Sequence, residues 1–221
     1  EQGPVLEQQG FPIGVVTHIV GIRRVAITIE GRADHAGTTP MEMRSDALVG
    51  AARLIAAAHR MASMAAGQPH YVVATVGRLE LMPNVPNAIP GRVEMILEVR
   101  SDSDSVLDDF TERLFEAEAA TIAELNLSLR HATLSRSRPT ACAPRVIESI
   151  EESASALTLP SIRLPSGAGH DAAYVAATGP VGMIFIPCLN GRSHCAEESI
   201  TPEQLLDGTR VLCDVLMRLD S

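Results

Sequence analysis

Two histidines and a glycine-rich turn are the places in this 221-residue chain where a reactive group can be held by a rigid neighbour. GRADHAGTTPM, Gly31 to Met41, sets His35 in a glycine-flanked turn between a strand and a helix, where a side chain is exposed yet anchored. SHCAEE, Ser193 to Glu198, follows a buried strand, so the ring of His194 sits at a strand's carboxyl end, the edge at which α/β sheets place ligand sites. PSGAGHDAAYVA, Pro165 to Ala176, is a turn opening a helix, where backbone N–H groups can face an anion. It is no phosphate loop, because His170 and Asp171 stand where Lys and Ser or Thr are needed. Each segment also has a plainer reading. Gly31 and Gly37 can serve turn geometry alone, with His35 a bystander, and His194 can be a satisfied structural histidine. No HExxH occurs, Ser161 and Ser166 lack a nucleophile elbow, and His18, His59, His70 and His131 follow no metal-ligand spacing.

Hydrophobic periodicity supplies the elements that carry these loops. Val25, Ile27 and Ile29 alternate with polar residues as a half-buried strand. A helix is expected to start at Thr39, with Pro40 and Glu42 as first-turn proline and capping-box partner, to bury Ala47, Leu48, Ala51, Ile55 and Ala58, and to end at Gly67. Strands follow at Tyr71 to Leu81 and Arg92 to Arg100, joined by MPNVPNAIPG, then a helix whose stripe is Leu107, Phe110, Leu114, Ala117 and Thr121, then a strand opening with Leu127 and Leu129. Strand, helix, strand, strand, helix, strand is the ferredoxin-like split βαβ order, an antiparallel sheet with two helices on one face. SRSRPTACAP, Ser135 to Pro144, has the composition of a boundary. Beyond it a helix near Arg145 to Leu157, a buried strand at Val181 to Ile186 and a helix from Pro202 to Leu219 read as part of an α/β layer structure whose other strands are missing. The fold class is therefore α+β with α/β: residues 21–135 form a ferredoxin-like domain inserted between 1–20 and 136–221, which belong to a partial α/β domain.

Composition narrows the partners. With 18 Lys and Arg against 27 Asp and Glu, a net charge of -9 repels phosphate backbones and anionic lipid, so neither nucleic acid nor a membrane is expected. Aromatic residues make up 3% with no Trp, so stacking platforms are scarce and small polar substrates remain. The four cysteines show no CxxC spacing, which favours reduced thiols and a cytoplasmic protein. The start at Glu1, without methionine or leader, reads as an internal cut.

GRADHAGTTPM, SHCAEE and EQGPVLE at Glu1 to Glu7, in that arrangement, resemble the N-carbamoyl-L-amino-acid hydrolase and allantoate amidohydrolase family, dizinc enzymes built on a zinc-peptidase-like α/β domain. The resemblance implies that residues 21–135 are a lid that makes a homodimer, and that His35 reaches the partner subunit's active site to donate to the oxygen made negative as water attacks the ureido carbon. It implies that His194, within a Ser-His-x-x-x-Glu pattern matched by Ser193 and Glu198, is a metal ligand, with Glu197 and Glu198 capping or orienting. Gln2, Asn87 and Arg100 become substrate contacts. Arg100 would pair with a carboxylate, for which a guanidinium fork offers two parallel charge-assisted bonds. Gly167, Ala168 and Gly169 become backbone lining of the pocket. Two divalent ions, zinc with manganese or nickel as alternatives, would polarise the carbonyl and generate hydroxide. His194 alone cannot satisfy such a centre, so the isolated chain is expected to be inactive and to bind no metal tightly. A related metallopeptidase or aminoacylase, and a purely dimerising module, are the alternatives.

Overall fold

The computed structural model describes residues 2–65 and 69–220; Glu1 and the helix end expected at Gly67 lie outside them. In chain order the elements are α1 (Val5–Gln9), β1 (Ile13–Ile19), β2 (Gly21–Glu30), α2 (Ala47–Ala65), β3 (Val72–Met82), β4 (Arg92–Ser101), α3 (Asp104–Glu124), β5 (Ser128–Arg136), β6 (Thr140–Ala141), α4 (Pro144–Ala156), β7 (Ser161–Ser166), α5 (Ala172–Val175), β8 (Ile184–Phe185) and α6 (Pro202–Asp220). They fall into two compact units, Gly21–Arg138 and Glu1–Val20 with Pro139–Ser221. No helix among the described residues is long and apolar enough to cross a membrane.

Unit 21–138 is the ferredoxin-like layer pair. Its sheet has the order β3-β4-β2-β5, with every neighbouring pair antiparallel. Because side chains alternate along a strand, Val25, Ile27 and Ile29 of β2 and Val93, Met95, Leu97 and Val99 of β4 share one face. There they pack on Ala51, Leu54 and Ala58 of α2 and on Leu107, Phe110 and Leu114 of α3. Each large side chain so buried contributes about 1.5–3 kcal/mol against the entropy of ordering it.

Three expectations shift in this unit. The helix starts at Ala47, because the Asp46 carboxylate accepts from the Leu48 and Val49 amides at 2.9 and 3.3 Å, while Pro40 is extended and Met41–Met43 make only a 3-10 turn. Leu48 is consequently exposed and Gly50 joins the buried face. The α3 stripe runs through Thr111, Glu118 and Ile122, leaving Ala117 exposed and Thr121 only half-buried, and Arg60 stands 3.7 Å from the Glu118 carboxylate.

The other unit is organised around β1, a strand the periodicity did not single out, whose residues Ile13, Val15, Val16 and Ile19 are all buried. β7 runs parallel to it along one edge, and the short β6 and β8 pair antiparallel with it. The strand expected at Val181 to Ile186 is reduced to Ile184–Phe185 and half-buried, because Val181 and Met183 spend their carbonyls on Ala143 and Val16. The first residues form α1, closed by Gly10 in the left-handed region. α6 begins with a reciprocal capping box: Thr201 Oγ1 accepts from the Gln204 amide and Gln204 Oε1 accepts from the Thr201 amide.

Candidate active site

Two of the singled-out residues meet in unit 21–138. The His35 turn is zipped to the hairpin between β3 and β4: His35 bridges Ala88, the Ala36 amide donates to the Asn87 carbonyl at 3.0 Å, and the Ile89 amide donates to the Asp34 carbonyl at 2.8 Å. His35 and Asn87, distant in sequence, are therefore exposed neighbours on one rim. The Gly37 amide donates to Nδ1 of His35 at 3.0 Å, so Nδ1 is an acceptor and the ring proton sits on Nε2. That leaves an outward N–H on an exposed imidazole, the donor that oxyanion stabilisation requires.

Arg100 is elsewhere. It pairs across β4 with Ile22 and Val73, whereas Arg92, at the opposite end of that strand, pairs with Glu30 just before the His35 loop. Arg100 Nε and Nη2 reach Glu98 Oε1 at 2.8 and 2.7 Å, while Glu98 Oε2 accepts from Arg24 at 2.6 Å. Burial alone would raise the Glu98 carboxyl, but hydrogen bonds and charge from Arg100 and Arg24 outweigh it and hold the group below its ordinary value. Both guanidinium groups thus converge on one carboxylate. Arg100 also lowers the Tyr71 hydroxyl, which burial, the larger effect, pushes up.

The unit made of residues 1–20 and 139–221 brings the two terminal motifs together. Gln2 donates from Nε2 to the Ile186 carbonyl at 2.9 Å and accepts the Leu6 amide on Oε1 at 3.1 Å, so its amide ties the first helix to the strand that leads into the His194 loop. Gln2 thus has a structural duty that the substrate-contact expectation did not include. Gly191 is left-handed, φ 62°, and lies where any Cβ would collide with Pro4. In the same loop His194 is also left-handed, φ 58°, and its amide donates to Glu198 Oε2 at 3.0 Å, so Glu198 orients the histidine loop. Glu197 pairs with Arg192 at 3.3 Å. Gly167 and Ala168 are half-buried and Gly169 exposed in the turn after β7, where the buried Ser166 hydroxyl donates to the Ala168 carbonyl at 3.0 Å.

An apolar groove of about 800 Å³ opens between α4, α6 and β8, lined by Val146, Ile150, Ile184, Leu212 and Leu216 together with His170 and Asp171. Neither His194 nor Gly167 to Gly169 lines it. Of the other histidines, His131 stacks on Phe115 at 4.1 Å between centroids, and Nδ1 of His70 lies 3.3 Å from Asp102. Among the described residues no group of three or more His, Cys, Asp and Glu could hold a metal ion, so His194 and its surroundings do not by themselves fit a metal centre.

Comparison with known proteins gives these loops a family. The model of peptidase family M20/M25/M40 matches residues 1–218. This chain belongs to that family. It is 38% identical over 220 residues to the N-carbamoyl-L-amino-acid amidohydrolase of Paenarthrobacter aurescens, covering 100% of this chain and 53% of that protein. It is 34% identical over 219 residues to the allantoate amidohydrolase of Escherichia coli K12, covering 99% and 53%. A crystal structure of an amidase of the hydantoinase/carbamoylase family from Burkholderia multivorans superposes with a TM-score of 0.91 at 38% identity, over 98% of this chain and 52% of the other. The chain thus spans about half the length of the relatives it matches. M20 amidohydrolases are in general metal-dependent.

The residues that sequence reasoning missed are the two arginines that shape the His35 loop. Arg32 donates to Asp34 Oδ2 at 2.6 Å and to the Met43 carbonyl at 3.2 Å, and Arg44 donates to the carbonyls of Ala36 and Thr39 at 2.6 and 3.1 Å. The only sequence signal was their position at either end of the loop that carries His35, GRADHAGTTPMEMR.

Proposed function

We propose that this chain carries the oxygen-stabilising and carboxylate-holding side chains of an amidohydrolase that cleaves the ureido C–N bond of N-carbamoyl-L-amino acids or allantoate. The observation behind the reading is the placement of these groups at opposite ends of one sheet. Strand β4 separates Arg92, beside the His35 and Asn87 rim, from Arg100 by about 27 Å at roughly 3.4 Å per residue. A carbamoyl amino acid is far shorter than that, so one copy of unit 21–138 cannot offer both ends to one substrate. Two copies in a symmetric dimer can, the His35 rim of one meeting the Arg100 end of the other.

In that arrangement the Arg100 fork holds the substrate carboxylate, and Asn87 contributes its side-chain amide. As water adds to the ureido carbon, the carbonyl oxygen becomes negative and Nε2–H of His35 donates to it, an interaction typically contributing about 2.7–4 kcal/mol to the barrier. The C–N bond then breaks, giving ammonia, carbon dioxide and the free amino acid. Zinc is the proposed metal, and its binding requires donors beyond His194; calorimetric titration of this chain with zinc is expected to show no tight two-site binding.

The test is made on the complete enzyme. Ammonia release from N-carbamoyl-L-amino acids or allantoate, with no cleavage of dipeptides or N-acyl amino acids, supports the reading, and the reverse preference replaces it with an aminoacylase or peptidase. His35→Ala and Arg100→Ala should each lower kcat/KM at least 100-fold. Mixed together, they should recover about a quarter of wild-type activity, since half the dimers are mixed and each holds one intact site. No recovery on mixing would place both groups in one copy's site.

A further inference from the structure

We propose that Arg44 is a positioning residue for His35, acting through the Ala36–Gly37 peptide; the proposal rests on the reading of His35 as donor to the substrate oxygen. The trans peptide unit is rigid, and its C=O and N–H point in opposite directions. Arg44 Nη2 donates to the Ala36 carbonyl at 2.6 Å. From the far side of that same peptide plane the Gly37 amide donates to His35 Nδ1 at 3.0 Å. Fixing the oxygen toward the guanidinium therefore fixes the N–H toward the ring, and the charge-assisted bond polarises the peptide so that its N–H is a stronger donor. The chain of contacts runs from guanidinium to peptide to Nδ1, and its output is a proton kept on Nε2.

Arg44 is suited to this because it straddles the turn. Its Nε donates to the Thr39 carbonyl at 3.1 Å, and the Thr39 amide in turn donates to the His35 carbonyl at 3.1 Å, closing the loop from His35 to Thr39. Two donors in one plane thus set the angle between two peptides, which the single point charge of a lysine cannot do. Arg44 is half-buried, so these bonds are partly shielded from water. A Cβ at position 37 would stand 3.2 Å from His35 Cε1, so a larger residue there would press on the ring.

The experiment is long-range ¹H–¹⁵N NMR of the imidazole groups in this chain, with amide spectra to confirm folding. Wild type should show His35 as the pure Nε2–H tautomer with an unprotonated, hydrogen-bonded Nδ1. In Arg44→Ala the His35 signals should move to the averaged values of a free histidine, with Arg44→Lys intermediate. If Arg44→Ala does not fold, Arg44→Lys alone decides by the same shift. Unchanged His35 signals in a folded Arg44 variant overturn the proposal. In the complete enzyme Arg44→Ala should lower kcat by on the order of 100-fold, as misplacement of a catalytic group does, with little change in KM. A changed tautomer with unchanged kcat would support the positioning role while overturning the donor role of His35.

Discussion

In unit 21–138 two long helices cover one face of a four-stranded sheet, and in the unit formed by residues 1–20 and 139–221 the last helix leaves part of its apolar surface open. In the first, α2 and α3 lie over one face of the sheet, and the other face carries ion pairs such as Arg92 with Glu30 and Glu94, and Arg24 and Arg100 with Glu98. In the second, α6 buries Val211 and Val215 but leaves Leu205, Leu206, Leu212, Leu216 and Met217 exposed, beside an apolar groove. Single apolar residues on a surface are ordinary, and Leu205, Leu212 and Leu216 differ only in lining that groove together. The lesson is that the first unit buries the apolar stripes of its helices against a sheet, while the last helix of the second keeps several leucines in the open.

The sharpest way to break this contrast is a pair of leucines. Leu54→Ala, in the buried cluster under the sheet, should cost about 2–5 kcal/mol, read from chemical denaturation of unit 21–138. Next comes the helix start: Asp46→Ala should cost about 1 kcal/mol, because two amides lose their cap, whereas Thr39→Ala should change helix stability much less. Equal effects at the two positions would return the helix start to Thr39. Smaller again, Leu216→Gln, at a side chain 59% exposed, should shift stability by no more than about 0.5 kcal/mol while raising solubility. A loss as large as that of Leu54→Ala would show that α6 is already packed.

The smallest effect is a pH dependence. Glu98 has a lowered folded-state value, so its contribution to stability is present above its ordinary value of 4.5 and fades as pH falls through the folded value. The melting temperature of Glu98→Gln should lie below that of wild type at neutral pH, by less than about 0.5 kcal/mol of stability, and the gap should close in acid. A gap that widens in acid would mean that the two arginines do not hold this carboxylate charged.

The sheet of unit 21–138 was legible because its strands alternate: Val93, Met95, Leu97 and Val99 against Arg92, Glu94, Glu98 and Arg100 can only be one buried and one open face. The start of α2 was not, since Thr39, Pro40 and Glu42 are a convincing cap in isolation, and Asp46 wins only because the Arg44 and Ser45 contacts hold the preceding loop away from a helix. β1 and β7 escaped because a parallel pair in a buried layer shows a continuous apolar run or, as in SIRLPS, no run at all.

For the site, residue types and local order were enough to single out His35, Asn87, Arg100 and His194, since imidazole, amide and guanidinium chemistry is carried by the side chain itself. Which of them share a rim was decided by strand register, which puts His35 against Ala88 and sends Arg100 to the far end of β4. The Nε2 proton of His35, the clamp from Arg44 and the tether formed by Gln2 depend on hydrogen bonds between residues whose proximity is a product of the closed fold. Sequence names the groups, and packing fixes the directions in which they point.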